Sequence, residues 1–106
     1  MASRRYLLSR RARADLDSIV EFLATRNPGA ARRVLTELRT TFQSLALNPE
    51  MGTRRDDLHA DVRLFTPSRP AGNYVVFYYP TIDGVEIADI IHAAQDWEGM
   101  FAQGDR

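Results

Sequence analysis

Two histidines, a scatter of arginines and a run of tyrosines are the side chains in this 106-residue chain best placed to do chemistry. His92 is a candidate for acid or base work, being of the side-chain type suited to it near neutral pH. It also closes an apolar run, where a histidine held by backbone hydrogen bonds is the competing role. Arg63 and Arg69 are the only basic residues between Arg55 and the terminal Arg106. Metal-free RNA cleavage must polarise a 2′-hydroxyl, protonate a leaving oxygen and surround a crowded phosphate with cations. Arg63, Arg69 and His92 are the basic groups that could be weighed for such a site, and Asp96 and Trp97 are further candidates for a function of some kind. The chain has no Lys, and after His92 it offers no Tyr, Lys or Arg until Arg106. That set is incomplete for phosphoester chemistry and points to a chain that binds rather than cleaves. His59 lies among Asp56, Asp57 and Asp61, but the spacing matches no metal-ligand pattern, so neither a metal nor another cofactor is expected.

The remaining candidates suit recognition. Tyr74, Tyr78 and Tyr79 could stack bases; with few cations nearby, core packing or contact with a protein partner is the better reading. Arg10, Arg11 and Arg13 fall in the first turn of a helix, the end of the macrodipole that disfavours cations. A local rule broken in this way is enriched at functional surfaces. The alternative is partial relief by Arg11–Asp15 and Arg13–Asp17 at i, i+4, worth a few tenths of a kcal/mol each. Arg10, Arg11, Arg13, Tyr74 and Tyr78 are therefore the residues expected to meet a partner.

These residues need elements to position them. Arg5–Leu8 is a short strand candidate, and Ser9 can cap the helix behind it. Ala12, Leu16, Ile19, Val20 and Leu23 form one apolar stripe at helical spacing. Asn27-Pro28 closes that helix and opens the next, with Asn27 as N-cap and Pro28 at the first helical position. Ala31, Val34, Leu35, Leu38, Phe42 and Leu45 form the second stripe, ended by Pro49 and Gly52. Residues 50–61 read as a polar loop and Val62–Thr66 as a strand. Tyr74–Tyr79 and Val85–His92 read as the arms of a hairpin around Asp83-Gly84, a dipeptide that tolerates positive φ. Ala93–Phe101 is a short helix candidate, and 102–106 should fray. The order is β-α-α-β-β-β, an α/β (α+β) fold with an N-terminal αα-hairpin packed on one face of an antiparallel sheet. Leu16, Leu23, Leu35, Leu38, Phe42 and Phe77 should be core.

Strict alternation puts Val75, Phe77 and Tyr79 on one face of the hairpin and Tyr74, Val76 and Tyr78 on the other. In the second arm Val85, Ile87 and Ile91 share a face, with Ala88 and Ile90 opposite. Both faces are partly apolar, unlike a sheet covered on one side only. Either the arms are central strands with cover on both faces, or one face is a groove awaiting a partner.

Composition sets the outer bounds. The length suits one domain, and the 44% apolar and 26% charged fractions are ordinary for a globular protein. Without Cys there is no disulfide framework, which is compatible with a reducing cytoplasm. No signal peptide or membrane span is expected, because no apolar run approaches roughly 20 residues. Net charge is zero but uneven: residues 1–55 carry 11 Arg against 5 acids, a net of +6, and residues 56–106 carry 3 Arg against 9 acids, a net of −6. Zero overall charge argues against a general nucleic-acid binder, while the basic half could meet an acidic partner.

Taken in order, Tyr6-Leu-Leu-Ser9, Ala14-Asp15-Leu16, Ile19, Phe22-Leu23, Pro28, Ala31, Phe42–Leu45, Asn48-Pro49-Glu-Met-Gly52, Val62-Arg63-Leu-Phe65, Tyr74–Tyr78, Asp83–Ile87 and Ile90–Asp96 resemble the ParE branch of the RelE/ParE toxin superfamily. The resemblance runs from about Tyr6 to Trp97. It implies a compact α/β toxin of a bacterial type II toxin–antitoxin module, of the kind linked to plasmid stabilisation. It further implies neutralisation by a ParD-like, ribbon-helix-helix antitoxin, with operator DNA reached only through that antitoxin. For ParE-type chains it implies poisoning of DNA gyrase; for RelE-type relatives, metal-independent cleavage of mRNA on the ribosome. An inactive member that only binds its antitoxin is the third alternative. One departure is Gln95, where ParE-like chains often carry Arg.

Overall fold

The computed structural model describes residues 4–103. The elements are β1 (Arg5–Leu8), α1 (Arg10–Ala24), α2 (Pro28–Leu47), β2 (Thr53–Arg54), β3 (Arg63–Phe65), β4 (Tyr74–Thr81), β5 (Gly84–His92) and α3 (Trp97–Gln103). They form one five-stranded sheet in the order β1-β5-β4-β3-β2.

Local sequence sets the helix boundaries. The Ser9 hydroxyl accepts from the Ala12 N–H at 3.0 Å and so caps α1. The Asn27 side chain accepts from the Ala30 N–H at 3.1 Å, with Pro28 at the first position of α2. The two helices form the expected αα-hairpin. On the sheet face beneath them, Val34, Leu38, Phe42 and Leu45 of α2 and Ala12 of α1 join Tyr74, Val76, Tyr78, Val85, Ile87 and Ile90 in the main core. Leu16 and Leu23 pack against its margin, while Leu35 is only half-buried.

Four features depart from the sequence reading. The sheet is not wholly antiparallel: β1 pairs parallel with β5, from Arg5–Gly84 to Leu8–Ile87, after a long crossover through both helices and strands β2 to β4. The 50–61 segment contains a two-residue strand, β2, paired with β3. The β4–β5 ladder steps from Phe77–Asp89 to Tyr78–Ile87, leaving Ala88 unpaired as a β-bulge. A bulge reverses the alternation downstream. Ile90, not Ile91, therefore joins Val85 and Ile87 under the helices, while Ile91 and Ala88 face away.

The fourth departure concerns the opposite face. Phe77 is core, but on the side away from α1 and α2, clustered with Val62, Val75, Ala88, Ile91 and Phe101. The cover is α3: Phe101 stacks on Phe77 with ring centroids 4.2 Å apart, and Trp97 lies 5.9 Å from the same ring. Of the two explanations for the two-sided apolar hairpin, cover on both faces is the one realised over this cluster. The C-terminal helix begins at Trp97 rather than Ala93 and includes residues 102 and 103, which were expected to fray; residues 104–106 lie outside those described. No described helix is long and apolar enough to cross a membrane.

Candidate protein-binding surface

The residues singled out from the sequence do not gather into one site. Arg63 pairs across the ladder with Tyr78, and His92 pairs with Tyr74. Four positions along β4 separate them, about 13 Å at ~3.3 Å per residue. The Arg63 guanidinium donates to the Gly52 carbonyl at 2.7 Å and to the Glu50 carbonyl at 3.3 Å. His92 sits edge-on to Tyr74, and its Nδ1 accepts from the Ala94 N–H at 3.1 Å. Asp96 accepts from the Gly99 N–H at 3.2 Å, in the first turn of α3, and Trp97 is the packing residue described above. Arg69 is exposed in the loop before β4. Each of these side chains except Arg69 has a contact that shapes the backbone, and together they form no acid–base–cation cluster.

Tyr78 must be withdrawn as a partner contact, because it is fully buried beneath α2. Its hydroxyl donates to the Pro49 carbonyl at 2.7 Å and accepts from the Gly52 N–H at 2.8 Å. With Arg63 it fastens the turn that leads from α2 into β2. Tyr78→Phe should therefore orphan a buried N–H and lower stability by about 1–3 kcal/mol. An unchanged denaturation midpoint would show that the turn holds without the hydroxyl.

What stays open lies along α1. β1 covers β5 only as far as Ile87, so beyond it α1 side chains meet the strand directly. The Ser9 hydroxyl donates to the Ala88 carbonyl at 2.8 Å, and Asp15 accepts from the Ile90 N–H at 2.9 Å. A cleft of ≈ 640 Å³ borders the N-terminal half of α1, lined by Arg10, Arg11 and Ala14 with Tyr79, Glu86 and Ala88. A second of ≈ 440 Å³ lies beside the C-terminal half, lined by Ile19, Phe22, Tyr74 and His92 among others. Phe22 is 55% exposed there, with the Arg26 guanidinium 3.9 Å over its ring. Arg10 and Arg11 thus border the first cleft, and Arg13 is exposed on the same helix. Tyr74 lines the second cleft but is buried in the main core and, like Tyr78, is withdrawn as an exposed partner contact. Sequence reading did not single out Ile19 and Phe22 as surface; Ile19 belonged to the apolar stripe, and only the helix rotation shows that Phe22 stands clear of it.

Comparison with known proteins places this geometry. The family described as the ParE toxin of type II toxin–antitoxin system, parDE, matches residues 6–97. Toxin ParE1 of Caulobacter vibrioides is 35% identical over 92 residues, covering 86% of this chain and 91% of that protein. Toxin RelE2 of the same organism is 34% identical over 85 residues, covering 80% and 90%. A solved structure of a chromosomal ParDE toxin–antitoxin system from P. aeruginosa superposes with a TM-score of 0.68 at 20% identity, over 83% of this chain and 94% of that one, a likeness of fold.

Proposed function

The chain belongs to the ParE toxin family of type II toxin–antitoxin systems, and from that membership we propose that it acts in the cytoplasm as a non-enzymatic inhibitor of DNA gyrase, held in check by a ParD-like antitoxin. The family match over residues 6–97 carries the reading. The separation of Arg63 from His92 supports binding over RNA cleavage. The antitoxin is proposed to lie along α1, its apolar side chains against Ile19 and Phe22 and its acidic groups toward Arg10 and Arg13.

Expression without antitoxin should stop growth and cause filamentation while bulk mRNA stays intact. The purified protein should inhibit supercoiling or trap gyrase on DNA. His92→Gln should retain toxicity, since no proton transfer is asked of it. Cleavage of translated mRNA that is lost in His92→Gln would instead establish the ribonuclease reading. For the antitoxin surface, reversing Arg10 and Arg13 to Glu should slow association by about tenfold at low salt, with less effect on dissociation. Arg11 is left in place because its charge acts on Asp15. Association at the wild-type rate would remove this surface from consideration.

A further inference from the structure

We propose that the outer face of α2 is a contact surface for the phosphate backbone of duplex DNA. Arg32, Arg33, Thr36 and Glu37 of α2 line a cleft of ≈ 310 Å³ together with Pro70 of the loop before β4. Arg69 precedes Pro70, and Arg39 stands one helical turn beyond Thr36. All four arginines are exposed, and among the described residues none of them has an ion-pair or hydrogen-bond partner. Arg5, Arg54 and Arg55, by contrast, are held by acids of the chain itself. Arg32, Arg33, Arg39 and Arg69 against Glu37, the one acid lining the cleft, leave a local charge of 4 − 1 = +3.

The chemistry of the partner follows from what this face lacks. None of the exposed large apolar side chains lines the cleft. A protein interface is anchored by apolar and aromatic groups at its centre, as Ile19 and Phe22 provide along α1. A phosphate backbone asks for no such anchor, only for guanidinium forks and hydroxyls, and Thr36 adds a hydroxyl to the arginines. Arg32 and Arg39 are about 10 Å apart along the helix axis at ~1.5 Å per residue. That matches about three phosphate steps of one DNA strand at ~3.4 Å each. Zero net charge gives the chain little long-range pull on DNA. The patch therefore acts as a second contact, to duplex that the target already holds close by. In naming that duplex as the DNA bound by gyrase, the inference rests on the gyrase reading above.

Fluorescence anisotropy of a labelled duplex with the full chain reads the surface directly. The binding constant should fall with salt whatever the duplex sequence. Arg32→Ala, Arg33→Ala and Arg69→Ala should each lower the log–log slope by about 1, and the triple variant should bind at least about tenfold more weakly at low salt. Arg54→Ala removes the same charge from an arginine already held by Asp56 and Asp61, and should leave the slope unchanged. Equal slopes for the wild type and the triple variant would overturn the proposal, as would no binding by the wild type at low salt or tighter binding to an RNA hairpin. A supercoiling assay on the same proteins separates the surface from the reading beneath it. Duplex binding without inhibition sinks the gyrase reading and leaves the surface standing. Inhibition retained in full by the triple variant sinks the surface and leaves the gyrase reading standing.

Discussion

Gly84→Val is expected to cost about 3–5 kcal/mol, enough to abolish most of the stability of a domain this size. Gly84 has φ +154°, a region L side chains rarely adopt, and it pairs with Arg5 at the edge of the sheet. A Cβ there would run into the Arg5 carbonyl carbon and oxygen. The neighbouring backbone cannot swing aside: Arg5 N–H donates to the Asp83 carbonyl at 3.1 Å, and Ser9 N–H to the Ile87 carbonyl at 2.9 Å, so β1 is tied at both ends. Ile82→Ser in the same turn is the control. That side chain is 99% exposed, and its replacement should stay within about 0.5 kcal/mol. Similar denaturation midpoints for the two variants would show that the close approach of β1 is not what demands glycine.

Leu38→Ala should cost about 2–5 kcal/mol and lower the melting temperature by ~10 °C or more. Leu38 is fully buried where α2 crosses the inner sheet face, in one cluster with Phe42, Val76 and Tyr78. Removing its branched end leaves a cavity in a cluster built from two helices and four strands, with little room to collapse. Leu35 tests the other side of the argument. It shares the helical stripe in the sequence but is only half-buried, so Leu35→Ala should cost distinctly less. Equal losses would mean that α2 is rotated from its described orientation.

Much of this was legible because it is local. Ser9 and Asn27 announce their caps through hydrogen bonds made three residues away, and the stripes of Val34, Leu38 and Phe42 repeat at helical spacing. The hairpin around Asp83-Gly84 follows from turn chemistry. The family resemblance, drawn from ordered local segments, covers the same stretch, and the ParE toxin family match spans residues 6–97.

Only tertiary structure decided the rest, because each remaining feature depends on groups distant in sequence. A one-residue bulge at Ala88 is set by what the strand meets, and it exchanged the faces of Ile90 and Ile91. The parallel pairing of β1 brings together residues nearly eighty positions apart. Tyr78, an aromatic in a strand, reads equally well as core or contact until its hydroxyl is seen between Pro49 and Gly52. Asp15 looks like half of a helical ion pair with Arg11, and nothing near it in the chain announces the Ile90 N–H that its carboxylate accepts. Periodicity reports which side of an element is apolar; which groups arrive on that side is fixed only when the elements pack.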